Sequence, residues 1–409
     1  MINKKYKCSA FNYCSEKSKS YIIYNTLYNT LVRLKPNEYL QYIGENECNE
    51  KLLNELVQNG LWVETDIDEK KRYLSCARAY NLYIDRPINI TITPTMKCNA
   101  RCAYCYEKGI HQTDMIKNAE DKLVRFIKES RNKNEIHINW FGGEPLLNTK
   151  FIDSFSEKLI KEGIKYSSYI ITNGSKINDE ILNKKLELWN VHEMQITLDG
   201  TKNQYEKRKN YINEQEGEFY TILNNIRLLA EKNIYIHIRL NIERDNKQDI
   251  LKLLKEIDLI FGKYENVVFY PAFITGSENP LDEDEKVEYI KDMMNIVSNV
   301  KKLTAGTKFY SYPRIHSCMY NDPKSFSIDV NGNIYRCERL LGKSQESMGN
   351  LDSGFIKDDQ RGKENLLRKE CEDCVFLPKC LGGCESNFND GDVPCMIEKY
   401  IIKAYVALL

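Results

Sequence analysis

From Pro87 onward, short runs of β-branched and aromatic residues alternate with longer stretches whose apolar positions recur at helical spacing. The runs are Ile88–Thr93, Ile136–Trp140, Tyr169–Thr172, Met194–Leu198, Tyr235–Ile242 and Val267–Tyr270. Helix-like stretches lie between or after them, near 115–130, 151–163, 178–189, 218–232 and 246–261. Repeated β-α units predict a parallel sheet with crossover helices, since a parallel strand is reached only by such a crossover. The fold class is α/β. Six strands suit a partial (β/α)6 barrel, with functional residues at the carboxyl ends of the strands.

The flanks follow other rhythms. Residues 1–20 read as an irregular polar arm. Tyr21–Tyr24 and Leu31–Leu34 predict two strands around an Asn-Thr turn. Pro36 opens a helix, a second spans Glu50 to Gln58 and stops at Asn59-Gly60, and Leu61-Trp62-Val63 is a returning strand. The run from Glu64 to Arg72 is read as a solvated loop or helix start. The sum is a winged-helix-like module. After the barrel, Val287, Ile290, Met294 and Val297 mark an amphipathic helix over 284–300, bridging to a module that starts near Lys308. There, Phe326–Val330 and Ile334-Tyr335 flank Asn331-Gly332, a hairpin signal. The expected domains are 1–85, 86–305 and 306–409, the last loop-rich.

Composition changes the picture at one point. Hydrophobic residues make up 42% and charged residues 29%, as in an ordinary core-forming protein. Lys+Arg (59) equals Asp+Glu (59), so nothing marks the chain as a nucleic-acid binder. No run of eighteen apolar residues exists, and the first residues lack the apolar stretch of a signal peptide. The expectation is a soluble cytoplasmic protein with no membrane association. Fourteen cysteines are then the anomaly. In a reducing cytosol, clustered cysteines point to metal or redox chemistry rather than disulfides. Cys98, Cys102 and Cys105 form one cluster, and seven more lie beyond residue 317. Cys8, Cys14, Cys48 and Cys76 are scattered and read as incidental thiols.

The central segment reads Pro94-Thr-Met-Lys-Cys98-Asn-Ala-Arg-Cys102-Ala-Tyr104-Cys105, directly after the first barrel strand. Three thiolates from one tight loop hold three irons of a [4Fe–4S] cube and leave the fourth open to a ligand. A zinc knuckle is the rival reading, but structural zinc takes four protein ligands and no nearby His completes the set. The triplet resembles the radical S-adenosylmethionine (SAM) superfamily, with Tyr104 at the family's aromatic position. That resemblance implies that the open iron chelates SAM, whose reductive cleavage starts hydrogen abstraction. Trp140-Phe-Gly142-Gly143-Glu144-Pro145 resembles the family's GGEP motif, expected to meet the SAM ammonium. Thr172-Asn-Gly174 and Thr197-Leu-Asp-Gly200 end the third and fourth strands. By the same resemblance, Thr197 and Asn241 are ribose candidates and Arg208 is the candidate partner of the SAM carboxylate. The His that commonly precedes this Arg is replaced here by Asn203-Gln204-Tyr205.

The last seven cysteines read Cys318-x18-Cys337, Cys371-x2-Cys374-x5-Cys380-x3-Cys384, then Cys395. This pattern resembles the SPASM extension of radical SAM peptide and protein maturases. The resemblance implies two auxiliary clusters, hence three [4Fe–4S] clusters in all. Cys371, Cys374, Cys380 and Cys395 would hold the outer one, and Cys318, Cys337 and Cys384 the inner one, with one iron open. Two zinc sites are the competing assignment. An open inner iron suits a substrate Cys thiolate and hence a thioether crosslink. Carbon–carbon or carbon–oxygen crosslinking and epimerisation share the same first step. Anaerobic sulfatase-maturating relatives carry an eighth cysteine and an Asp after the residue matching Cys337; here Glu338 stands there and the eighth cysteine is absent, departures that weaken the formylglycine reading.

Residues 21–85 resemble leader-recognition modules, whose exposed strand edge accepts a precursor peptide's leader as another strand. Tyr21–Tyr24 and Leu31–Leu34 are the candidate strands. The implied partners are a precursor peptide with a leader and a flavodoxin or ferredoxin reductant. His137 and His237 lie on predicted strands and are read as satisfied core residues rather than ligands. A non-catalytic zinc-binding scaffold is the alternative from another class.

Overall fold

The computed structural model describes residues 5–130, 135–213, 218–274, 280–299, 313–355, 361, 367, 369–384 and 395–409. The expected start of the last module near Lys308 and the side chain of Val297 lie outside them.

The N-terminal region contains β1 (Tyr6–Cys8), β2 (Asn12–Lys17), β3 (Ser20–Asn25), β4 (Thr30–Leu34), α1 (Pro36–Tyr42), α2 (Glu50–Gln58), β5 (Trp62–Glu64) and α3 (Glu69–Tyr83). Strands β2, β3 and β4 form an antiparallel sheet, and β1 pairs antiparallel with β5. The irregular arm expected over residues 1–20 is thus corrected: β1 and β2 lie within it, and Phe11 between them is fully buried. Their polar sequences carry no strand rhythm of their own; partners supply the ladder. Strand β3 is apolar on both faces. Ile23, with Val32 and Leu34, packs on Tyr42, Leu52 and Leu56 of α1 and α2. Ile22 and Tyr24 pack instead on Phe376, Ile402 and Val406 from the far end of the chain.

The centre follows the expected alternation. It runs β6 (Ile88–Thr95), α4 (Ala119–Ser130), β7 (Ile136–Gly142), α5 (Thr149–Lys161) and β8 (Tyr166–Thr172). A π-helical turn (Ile181–Lys185) then enters α6 (Leu186–Leu188), followed by β9 (Val191–Leu198), α7 (Lys202–Lys209), α8 (Phe219–Glu231), β10 (Tyr235–Ile242), α9 (Lys247–Phe261) and β11 (Val267–Phe273). Strands β6 to β11 are parallel and in sequence order. Because strand side chains alternate, each strand has two characters. Ile90, Ile138, Ile170, Ile196 and Ile238 are fully buried in the main core with helix residues such as Phe155, Ile226 and Leu253. The opposite face is polar and cross-linked by side chains. Asn139 donates to Asn89 at 2.7 Å, His137 meets Ser167 at 2.9 Å, and His237 meets Glu193 at 2.8 Å. Both histidines have partners as expected, but they are half-buried on this polar face and not in the core, because the strand alternation puts them opposite the isoleucines.

Helix α10 (Glu283–Asn299) follows, and then β12 (Ser325–Ile328), β13 (Asn333–Tyr335), β14 (Gly349–Asn350) and β15 (Gly354–Phe355). The predicted hairpin is β12–β13, and it extends the barrel: β12 lies parallel beside β6, giving one ten-stranded sheet. Short helices α11 (Lys369–Glu372) and α12 (Leu377–Cys380) carry cysteines, and α13 (Ile397–Leu408) packs on α10. Among the described residues no helix is long and apolar enough to cross a membrane.

Candidate functional site

The loop after β6 carries Cys98, Cys102 and Cys105 and is bolted down along its length. Arg101 N donates to the carbonyls of Lys209 and Asn210, both at 3.0 Å, and Ala100 bridges to Tyr211. Asn99 receives from Asn173 Nδ2 and donates to Ser175, each at 2.9 Å. These bonds tie the loop to the ends of β8 and α7. The three thiols line a cavity of about 370 Å³ over the carboxyl ends of the strands, with Tyr104, Gly142, Gly143, Asn173, Thr197 and Lys209 also in its wall. Burial is the main force on the Cys98 thiol, and with Glu144 and the other two cysteines nearby it is pushed up to about 12. A cationic metal centre reverses that penalty, since it holds thiols as thiolates.

Gly142 and Gly143 let this loop pass close to the end of β7. Gly142 has φ of +119°, and a Cβ there would stand 2.5 Å from both Thr93 Cγ2 and the Thr95 carbonyl. At Gly143 it would stand 2.4 Å from the Lys97 carbonyl. Glu144 lies behind them, fully buried. Its carboxylate accepts from Thr172 Oγ1 (2.8 Å), Asn173 N (2.8 Å) and Leu146 N (3.1 Å), so it clamps the loops after β7 and β8 together. Burial still pushes this carboxyl above its ordinary value, against those three donors.

Two neighbouring cations end α7 and part ways. Arg208 pairs with Glu243 and, at 3.3 Å, with Asp245, and stacks over the Tyr104 ring at 5.6 Å. Lys209 is the one in the cavity wall, though only 4% exposed. Its ammonium lies 3.3 Å from Asp199 Oδ2 and 3.0 Å from the Tyr104 hydroxyl, which itself donates to Asp199 at 2.5 Å. Burial opposes its charge, but Asp199 and Tyr104 outweigh that and hold Lys209 well above its usual value. Asp199 Oδ1 is buried without a partner among the described residues. Asn241 is buried and accepts from Arg239 Nε at 2.8 Å. Lys209 and Asp199 were not among the sequence candidates. The only signal for Lys209 was its adjacency to Arg208, and only the phase of α7 separates the two.

The C-terminal cysteines gather in two sets. Cys318, Cys337 and Cys384 are close enough to oppose one another's ionisation, and burial with Glu338 and these neighbours pushes Cys337 up to about 12. Cys371, Cys374 and Cys380 form the other, where burial and the two neighbouring thiols push Cys380 up to about 11. Cys395 is exposed beside Lys399 (3.6 Å) at the start of α13, which packs on α12. Among the described residues no three His, Cys, Asp or Glu side chains close around a single metal ion. Between the sites, Phe141 packs on the cluster of Tyr335, Cys337, Leu340 and Leu341 and faces Tyr106 at 6.4 Å.

The cavity thus holds three thiols at the carboxyl end of six parallel strands. Residues 92–257 match the Radical SAM superfamily, so the chain carries a Radical SAM domain. A cysteine-type anaerobic sulfatase-maturating enzyme of Clostridium novyi (strain NT) is 26% identical over 355 residues, 75% of this chain and 91% of that protein. Two solved structures share the fold. Native anSMEcpe with bound AdoMet has a TM-score of 0.60 at 16% identity, covering 78% of this chain and 95% of that one. Streptococcus suis SuiB bound to precursor peptide SuiA has a TM-score of 0.55 at 14% identity, covering 95% and 98%.

Proposed function

We propose that this chain is a radical SAM peptide maturase, which takes a hydrogen from a ribosomally made precursor peptide and installs a crosslink, with a Cys thioether as the favoured product. One observation carries the reading: Cys98, Cys102 and Cys105 meet over the carboxyl ends of the parallel strands, in a chain with two more thiol sets. Three thiols with one open position, beside a buried cation and an unpartnered carboxylate oxygen, fit a [4Fe–4S] cluster that binds SAM. When bound, the cluster and SAM supply one-electron chemistry and the hydrogen-abstracting radical.

The chain's own residues bind, orient and exclude water. Lys209, held by Asp199 and Tyr104, is placed for the carboxylate of SAM, while Arg208 faces Glu243 and supports the Tyr104 ring from behind. Peptide groups around Gly142 and Gly143 suit the SAM ammonium, with Glu144 fixing that loop. Thr197 and Asn241 remain the ribose candidates. Cys371, Cys374, Cys380 and Cys395 are assigned to an outer cluster, and Cys318, Cys337 and Cys384 to an inner one with an open position, on which the thioether preference rests. We take 1–85, 86–305 and 306–409 as three functional units of a cytoplasmic protein served by a flavodoxin or ferredoxin. For a leader peptide, β3 is flanked on both sides, so β4, paired on one side among the described residues, offers the edge.

Formylglycine formation is the second reading, favoured by the sulfatase-maturating relative, while Glu338 in place of the Asp those relatives carry weakens it. Anaerobic reconstitution tests both. About twelve irons per chain are expected from three clusters, with SAM cleavage lost in Cys98→Ala, Cys102→Ala and Cys105→Ala. Cys318→Ala keeps SAM cleavage and loses product. A crosslinked peptide is lighter by two hydrogens, whereas Cys-to-formylglycine conversion loses sulfur. A colourless, zinc-loaded chain that leaves SAM intact ends both readings.

A further inference from the structure

Helix α3 buries a stripe that the chemistry above does not use. Glu69, Tyr73, Ala77 and Asn81 recur at every fourth position and are 6%, 5%, 0% and 2% exposed. Three of the four are polar, so the stripe is not a hydrophobic seam. Polar groups at such depth persist where they meet specific partners. Glu69 serves its own region, accepting from Ser9 Oγ at 2.9 Å and Ala10 N at 2.8 Å. Tyr73 and Asn81 reach out of it.

The Tyr73 hydroxyl donates to the Arg314 carbonyl at 2.5 Å and lies 3.4 Å from the Pro378 carbonyl. Arg314 N donates to that same Pro378 carbonyl at 2.7 Å, so one hydroxyl closes a junction of two backbone segments. Asn81 uses both ends of its amide: Nδ2 donates to the Ile315 carbonyl at 3.0 Å, and Oδ1 accepts from Ser317 N at 2.9 Å. Just past the helix, Arg86 grips Asp322, whose own N–H donates to the Cys318 carbonyl at 3.1 Å. The backbone on both sides of Cys318 is thereby fixed from α3 and its exit. Pro378 lies between Cys374 and Cys380.

We propose that α3 is a positioning element for the auxiliary cysteines, with Tyr73 and Asn81 setting the 314–317 backbone against Pro378 and so fixing the Cys318 site relative to the Cys374–Cys380 loop. The proposal rests on the reading of those cysteines as cluster ligands. Joining the two regions needs only the apolar contacts already present, such as Phe11 and Tyr73 on Leu377. A hydroxyl satisfying the main chain four residues before a ligand, and a carboxamide satisfying it three and one residues before, add direction, which outer-shell hydrogen bonds give to metal ligands.

The test is anaerobic reconstitution of the full chain as Tyr73→Phe, Asn81→Ala, the double variant and Cys318→Ala, with iron counting and electron paramagnetic resonance of each cluster. The double variant is expected to lose or shift the auxiliary signals, its iron falling to about two-thirds of wild type as one cluster of three is lost. SAM cleavage at the Cys98 site should persist, which distinguishes positioning from general unfolding. Asn81→Asp, which keeps the acceptor for Ser317, should recover part of the signal. Wild-type iron and auxiliary spectra in the double variant, with Cys318→Ala losing a cluster, overturn the role of α3 alone. If Cys318→Ala also keeps every cluster, the ligand reading falls first and the proposal with it.

Discussion

Lys209 and Arg208 are adjacent cations with different surroundings, and that difference is measurable. Lys209→Met removes the cation in the cavity wall. Charged hydrogen bonds are worth about 1.5–3 kcal/mol, so SAM affinity should fall roughly 10- to 100-fold, read by equilibrium titration of the reconstituted chain. Arg208→Met instead strands Glu243 beside a buried site, and a lower melting temperature with SAM affinity nearly kept is expected. Equal affinity losses for the two variants would remove the distinction. Gly143→Ala probes the backbone: its Cβ would stand 2.4 Å from the Lys97 carbonyl, forcing the start of the Cys98 loop to move. Overpacking of this kind costs about 1–3 kcal/mol, so iron retention should drop, and retention at the wild-type level would show that the loop has room to move. The sequence exposed the cysteines because ligand spacing is local. It could not reveal Lys209, since a helix of eight residues with almost no apolar bias does not announce which neighbour faces inward.

At the scale of elements, legibility followed how much of the stabilising pattern an element carries itself. Strands β6 to β10 present a fully buried isoleucine face to the helices and β11 adds buried Val267 and Phe269, so their apolar runs stood out. Their ends were read short where the polar face dominates, as at Tyr166–Ser168 in β8 and Val191–Glu193 in β9. Strands β1 and β2 were missed because the pattern that fixes them belongs to β5 and β3. Helix α3 was reduced to a loop or helix start because its buried stripe is Glu, Tyr, Ala and Asn, and no hydrophobic period marks it. Glu144 shows how loops between strands are held in register. Glu144→Ala leaves Thr172 Oγ1, Asn173 N and Leu146 N without their acceptor. Buried donors left unpaired cost about 1–3 kcal/mol each, so a loss of about 3 kcal/mol in urea unfolding is expected, with Glu144→Gln recovering part of it. A loss under about 0.5 kcal/mol, the scale of an inconsequential surface change, would show that the loops are held by other contacts.

At the scale of the molecule, the chain order of the parts was legible but their assembly was not. The hairpin was expected to open a separate cluster-bearing module, yet β12 continues the barrel sheet beside β6. The N-terminal region is likewise wedged against the C-terminal end through Ile22, Tyr24, Phe376 and Val406. Such contacts join residues more than 350 positions apart, and no local rhythm encodes them. The Arg86–Asp322 pair is the polar counterpart, with side chains 15% and 9% exposed. Burial pushes the Asp322 carboxyl up, but Arg86, Ser325 Oγ and Lys324 N outweigh it and leave it below the ordinary carboxylate range. Its folded form therefore releases the proton more readily than the unfolded chain does, and the stability it contributes is present above about pH 4. That contribution is lost as pH falls through the depressed value. Arg86→Met removes the cation and leaves the burial, so the anionic form becomes the costly one. Breaking a buried pair costs about 3–5 kcal/mol. The gap between wild type and Arg86→Met in urea midpoint should therefore be wide at neutrality and narrow as the solution is acidified toward about pH 4. A gap that stays constant across that range would mean Arg86 acts through packing alone, and that its charge does not hold the Cys318 segment to the N-terminal region.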